Sequence, residues 1–369
     1  LFLERKLVLA PHQGILSRAT VFWGRKLVLA RSDAIIKASS LLSFSTQPGA
    51  RRSWGKRTMS RLKTYHFQRS LPKLPLPKLR DSLRRMCYAA KPVLDAQQNR
   101  QLHDAAQQSL QNGSGDELQR ALAERDAASY SSYISEPWFD LYLRDRSSLL
   151  LNYNPQLTFR DEPERAPSQP DRAARLVHAA AHFLVALEAQ TLAPDVFHTR
   201  QISRHHLFPE AMRLLPESVA FYGAAALGAY PLDMSQYANL FRSTRVPQVG
   251  RDALVVDASS SPSRHIMVQH GSRFWRVDVL DASGAPVDAA RLRVAFEAII
   301  SSAADDEAAA IGLLTSLPRD DWASLRTQIG SASSLNDATL AAIDSALFAV
   351  SLDGASPESP VEVNRCMLH

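Results

Sequence analysis

The chain has 369 residues, with 43 Lys and Arg against 37 Asp and Glu, and its net charge of +6 conceals two unlike parts. Residues 1–80 carry 17 basic and two acidic side chains, whereas residues 81–369 carry 26 basic and 35 acidic ones, so a basic arm precedes a body of net charge −9. Such a body repels phosphates and is excluded as a nucleic-acid binder, and no apolar run approaches the ~18 residues a membrane helix requires.

The arm comes first. RKLVLA recurs at 5–10 and 25–30, but two copies are too few for a solenoid. Residues 1–68 are basic, Ser-rich and almost free of acid, and no fold is expected of them. They read either as a targeting segment or as mis-predicted sequence upstream of Met59, and the folded body is expected over 69–369. Pro72, Pro75 and Pro77 then impose an extended path. Helices are expected over 80–90, 97–112 and 116–128, the last two broken at 112–115 by Asn-Gly-Ser-Gly. The stretch 138–154 mixes helix and strand signals, with a strand expected at 149–155 and a charged, Pro-rich loop at 161–171. Leu176, Phe183, Leu184 and Leu187 mark an amphipathic helix over 172–192.

Short helices are expected at 209–215 and 218–227, and a strand at 251–257. A hairpin is expected from 265–269 and 274–280 about the turn at 270–273. Helices over 287–300, 322–329 (capped by Asp320) and 336–345 lead to a last strand at 346–352. Helices mixed with separated strands make this an α/β (or α+β) layered domain.

A search for chemistry finds no complete catalytic set. The sequence has no phosphate loop, no GxGxxG and no GxSxG elbow. Its two cysteines, Cys87 and Cys366, form neither a CxxC pair nor a disulfide framework and fit a reducing compartment. His178 and His182 have the i, i+4 spacing of metal ligands. The Glu of HExxH is absent, however, so they read as structural, as do His205 and His206, and no metal is expected.

Longer words carry more. LPKLPLP at 71–77, SYISEPWFDLYL at 132–143, NYNP at 152–155, AYPLDMSQY at 229–237 and LFRSTRVP at 240–247 stand in order. RHIMV at 264–268, LTS at 314–316 with RDDW at 319–322, and CMLH at 366–369 continue the series. This ordered set resembles the carnitine/choline acyltransferase family, and within it the mitochondrial long-chain type II members more than the acetyl-specific or outer-membrane type I members.

The resemblance implies a chloramphenicol-acetyltransferase-like layered domain, incomplete at its C-terminal end, in an enzyme that builds its active site between two such domains. It implies acyl transfer between carnitine and CoA, both of them substrates, with no cofactor and with a histidine as general base. The family signature is His-x-x-x-Asp/Glu-Gly, but the one Asp-Gly here, Asp353-Gly354, is preceded by Ala349 at the histidine position. His369 belongs to the upstream MLH word, so the catalytic histidine is expected beyond residue 369 and the chain is expected to be inactive alone.

Other residues follow from the same resemblance. Trp138 and Tyr142 match positions lining the carnitine and acyl tunnel. Asp233 and Arg245 read as structural residues, with a buried ion pair between them as one option. Arg204, Leu207, Phe208 and Met212 fall where type II members carry an insert that meets the matrix face of the inner mitochondrial membrane, an ordinary surface loop being the alternative reading. The alternatives are a real truncated product that binds acyl groups or membranes without catalysis, and a gene-model artefact.

Overall fold

The computed structural model describes residues 6–9, 19–21, 62–129, 131–149, 157–159, 167–257, 259–302, 311–355, 359 and 361–362. Two compact units emerge: Pro72–Leu141, and Leu1–Leu71 together with Tyr142–His369.

The Pro72–Leu141 unit is helical. Its extended proline run is held by Leu74, whose amide donates to Ser132 Oγ at 2.9 Å, and by the Lys73 ammonium, which donates to the carbonyls of Asp126 and Ser129. Three helices follow: α1 (Leu79–Ala90), α2 (Ala96–Gln111) and α3 (Ser114–Ala128). Helix α2 starts on a capping box that went unread in the sequence. Asp95 accepts from the amides of Gln97 and Gln98, and the Gln98 side chain accepts the Asp95 amide. The break before α3 is Gly113 at φ +80°, a conformation Gly adopts without steric cost. The first part of the ambiguous stretch 138–154 belongs to a helix, α4 (Ser135–Arg144), at the boundary between the units. The expected strand at 149–155, with its NYNP word, lies outside the described residues after Leu149.

The other unit is a mixed α/β layer. Its strands are β1 (Lys6–Leu9), β2 (Ala19–Val21), β3 (Leu157–Thr158), β4 (Val196–His198), β5 (Ala229–Pro231), β6 (Ser243–Val246), β7 (Ala253–Val256), β8 (His265–His270), β9 (Arg273–Asp278) and β10 (Ala349–Leu352). One sheet has the order β3-β2-β1-β10-β8-β9, with β10 parallel to both β1 and β8. Strands β4–β5 and β6–β7 form separate antiparallel pairs. Strand β8 is paired on both sides, by β10 and β9, and Ile266, Met267 and Val268 are buried in succession. Strand β9 lies at the edge and alternates between half-buried and exposed positions.

Two long helices bury their apolar stripes in this sheet's core: α5 (Gln169–Glu188) and α8 (Ala289–Ser301). Ala173, Val177, Ala181 and Leu184 of α5 join Leu292, Phe296 and Ile299 of α8 and Ile266, Val268, Leu347, Val350 and Leu352. Helix α5 starts earlier than its apolar periodicity indicates because Ser168 caps it and Pro170 suits its first turn. Asp288 caps α8 through the Ala290 amide.

Helices α6 (Phe208–Arg213), α7 (Ala220–Ala226), α9 (Arg319–Ala332) and α10 (Ser334–Asp344) complete the unit. Among the described residues, no helix is long and apolar enough to cross a membrane.

The N-terminal expectation needs correction. Lys6–Leu9 and Ala19–Val21 form strands, and residues 62–70 are packed rather than outside the fold. Leu62 and Phe67 enter a second apolar cluster with Phe208, Met212, Ala220, Ala224 and Ala229. His66 Nε2 lies 2.9 Å from the Met212 carbonyl, and the Thr64 hydroxyl donates to Leu192 O at 2.7 Å. Charge and composition define the basic arm, yet Leu62 and Phe67 at its end are buried in the fold.

Candidate functional site

The words at 132–143, 240–247 and 314–322 converge on Asp252, a residue absent from all of them. Strands β6 and β7 pair with Arg245 opposite Leu254, and the connection between them brings Asp252 back toward Arg245. Arg245 Nε donates to Asp252 Oδ2 at 2.5 Å and Arg319 Nε donates to the same oxygen at 2.8 Å. Arg146 Nη1 reaches Asp252 Oδ1 at 3.2 Å. Asp252 is fully buried, as are the Arg245 and Arg319 side chains. Burial pulls the Arg245 guanidinium down from its ordinary value and Asp252 pushes it back up; an arginine in such a pair stays charged.

The cluster also organises backbone. Arg245 Nη2 donates to the carbonyl of Tyr142 at 2.8 Å, and the Asp252 amide donates to Leu143 O at 2.9 Å, so the C-terminal turn of α4 is held from two sides. The Arg319 amide donates to Arg146 O at 2.9 Å. Asp320 is not the cap of α9; Pro318 occupies that position. Asp320 instead accepts from the Gly250 amide at 2.8 Å and from Arg146 at 3.2 Å. The Gly250 hydrogen bond, followed by Arg146, holds its carboxyl below the usual range.

The optional Asp233–Arg245 pair does not form. Arg245 takes Asp252, seven residues away across one turn, and Asp233 accepts from Gln68 Nε2 at 2.7 Å and from Ser235. Gln68 Oε1 in turn accepts the Met234 amide at 2.9 Å, so the AYPLDMSQY word is tied to the N-terminal stretch. Tyr237, in the same word, donates to Asp195 at 3.2 Å. Burial and then the Asp195 charge push its hydroxyl well above its ordinary value, so it remains a donor. Arg242 adopts φ +52°, uncommon for a side chain of this size, and is held there by Ser263 O and the Glu188 carboxylate.

Trp138 and Tyr142 lie one turn apart on α4 but differ in environment, Trp138 being exposed and Tyr142 buried. Ala349 opens β10 opposite Met267 and Asp353 follows that strand; His369 and Cys366 lie outside the described residues.

Several of the described histidines have definite partners. His265 Nε2 lies 2.7 Å from Ala342 O, His270 Nδ1 2.6 Å from Leu352 O, and His198 Nδ1 3.0 Å from Ser203 Oγ. His178 Nδ1 lies 2.8 Å from Val287 O, and its Nε2 lies 3.2 Å from His182 Nε2. No group of three or more His, Cys, Asp or Glu able to hold a metal occurs among the described residues. A separate cleft of about 360 Å³ is lined by Arg264, Arg291, Asp278 and Asp281 with Val277 and Leu280, so its charges balance.

The insert expected to meet a membrane is split by packing. Phe208 and Met212 point into the second apolar cluster and cannot insert. Arg204 and Leu207 are exposed, and so are Ile202 and Leu214, which the sequence reading did not single out.

Comparison with known proteins agrees with the words that meet at Asp252. A model described as choline/carnitine O-acyltransferase matches residues 74–368. The chain belongs to that family. It is 39% identical over 309 residues to carnitine O-palmitoyltransferase 2, mitochondrial, from Bos taurus and from Homo sapiens, covering 83% of this chain and 46% of each relative. It is 27% identical over 312 residues to carnitine O-acetyltransferase from Homo sapiens, covering 83% of this chain and 44% of that relative. The chain thus spans about half the length of the curated relatives it matches. Arg146 and Asp252 went unread because neither stands in a recognised word; the turn of Pro247 to Gly250 between two β-prone stretches was the signal that Arg245 has a partner nearby.

Proposed function

We propose that this chain forms part of a carnitine O-acyltransferase that moves long-chain acyl groups between carnitine and CoA in the mitochondrion, on the matrix side of the inner membrane. The proposed architecture is the chloramphenicol-acetyltransferase-like layer pair. The observation that carries the reading is the identity to carnitine O-palmitoyltransferase 2 over 83% of the chain, supported by the meeting of three family words at Asp252. In this reading Arg245 and Asp252 are positioning residues that fix the end of α4. Trp138 provides an apolar wall and a cation–π face for the quaternary ammonium of carnitine.

The chemistry is carried by a histidine base in a His-x-x-x-Asp/Glu-Gly sequence, a word these 369 residues lack. Imidazole suits the step because its unperturbed pKa near ~6.5 lets it accept the hydroxyl or thiol proton and return it. Preorganised donors must meet the tetrahedral oxyanion. Exposed Ile202, Leu207 and Leu214 beside Arg204 and Arg213 form the proposed membrane-facing patch.

The test measures carnitine-dependent release of CoA thiol from palmitoyl-CoA and from acetyl-CoA, with choline as the alternative acceptor. The full-length gene product is expected to prefer palmitoyl-CoA and carnitine, and the 369-residue chain to show no exchange. Exchange by the 369-residue chain overturns the placement of the base in a histidine word outside it, and a preference for choline overturns the carnitine assignment.

A further inference from the structure

The cleft lined by the end of β9, the turn after it and the start of α8 has no part in the acyl-transfer reading, and it shares no residue with the Asp252 cluster. The turn is fixed by its own hydrogen bonds. The Asp281 amide donates to Ala285 O at 2.8 Å, and the Val287 amide donates to Val279 O at 2.9 Å. The Asp281 carboxylate accepts from the Ser283 hydroxyl at 2.6 Å and from the Ser283 and Ala285 amides at 2.8 and 3.0 Å. Asp278 faces Arg276, with Oδ1 and Nε 3.7 Å apart. Formal charge in the cleft is balanced, but hydrogen-bonding capacity is not. Both carboxylates have partners. Arg264 commits only Nη1, to the Asp281 carbonyl at 2.9 Å, and Arg291 makes no hydrogen bond or ion pair with a described residue.

The surplus is therefore one of donors. A guanidinium presents a planar fork of N–H groups that matches the two oxygens of a carboxylate. Val277, Leu280, Leu292 and Ala295 give the same cleft an apolar wall, in which Leu280 and Leu292 are buried and fixed. Its volume of about 360 Å³ lies at the lower end of the range of small-ligand sites. We propose that this cleft binds a fatty acid of medium chain length, with its carboxylate on Arg264 and Arg291 and its chain against the apolar wall. A bare inorganic anion gains nothing from that wall. An uncharged chain gains no charge-assisted bond from the guanidiniums. Asp278 and Asp281 limit the charge that is tolerated: a dianionic phosphate meets more of their repulsion than a single carboxylate does. The inference stands apart from the acyl-transfer reading, because none of these residues is assigned a part in that reaction.

Calorimetric titration of the full 369-residue chain with octanoate is the experiment, with acetate, octanamide and inorganic phosphate as comparison ligands. Octanoate is expected to occupy one site, about tenfold or more tighter than each of the other three. Arg291→Gln should weaken octanoate about tenfold or more, since it removes a charged donor. Ala295→Leu, which puts a larger side chain into the cleft, should weaken it as well. Arg293→Gln lies on the same helix but outside the cleft, where Arg293 pairs with Asp171 and Glu297, and should bind octanoate like the unaltered chain. Absence of octanoate binding overturns the proposal, as does equal binding of any comparison ligand or an unchanged affinity in Arg291→Gln. Circular dichroism checks that each variant is folded. Should Ala295→Leu fail to fold, Arg291→Gln decides, because it alters an exposed side chain.

Discussion

Asp252→Asn removes a carboxylate charge that three guanidiniums share. The substitution is nearly isosteric, so little packing changes. Arg245 and Arg319, both with fully buried side chains, and the mostly buried Arg146 lose their counter-charge in one step. Removing one partner of a buried ion pair typically costs about 3–5 kcal/mol, because the remaining charge stays desolvated. For a unit of this size each kcal/mol lowers the melting temperature by about 2–4 °C. The expected loss is therefore about 6–20 °C, read by differential scanning calorimetry or by the urea midpoint at constant m. Asp320→Asn, at an exposed carboxylate on the rim of the same cluster, is expected to move the midpoint far less. Pairing Asp252→Leu with Arg245→Met should cost less than Asp252→Asn, since a matched apolar pair leaves one fewer unpaired buried charge. A loss below about 1 kcal/mol for Asp252→Asn, or one equal to that of Asp320→Asn, would refute the view that Asp252 organises this end of α4.

Three further outcomes follow. Phe208→Ala is expected to destabilise the chain by about 3–5 kcal/mol through the cavity it opens beside Leu62 and Phe67. Leu207→Asp should instead leave the melting temperature unchanged while reducing sedimentation with anionic vesicles; the opposite pattern would mean that α6 faces the other way. At Asp257 burial raises the carboxyl, but the Ser263 and Ser259 amides outweigh it and hold the pKa at about 2. A carboxyl depressed on folding adds stability above its unfolded value of 3.8 and loses it as pH falls toward 2. Asp257→Asn should therefore cost on the order of 1 kcal/mol at pH 7, after discounting for solvent screening, and nothing near pH 2; a difference independent of pH refutes the assignment.

Local signals located most of the helices and the β8–β9 hairpin, because amphipathic spacing, Gly turns and caps act within a few residues. The family words also needed no structure, and they carried the acyltransferase resemblance that the comparisons bear out. The start of α5 moved because capping by Ser168, rather than apolar periodicity, sets its first turn, and α9 begins directly after Pro318. Strands β4, β5 and β6 went unread because each has only three or four residues, too few to show an alternation.

The site was less legible, since its contacts span long intervals. Arg245 was marked by its word, but its partner depended on how the β6–β7 turn folds back, which composition cannot reveal. Phe208 and Leu207 are adjacent and similarly apolar, yet one fills a core with residues from position 62 onward and the other faces water. By itself the sequence determined the family, the helix pattern and the charge division between arm and body, all of them properties of order and spacing. Only the tertiary structure decided which charges share Asp252, which apolar side chains remain free to meet a surface, and that His178 points its protonated nitrogen at Val287. Those are questions of burial and distance between elements brought together by folding.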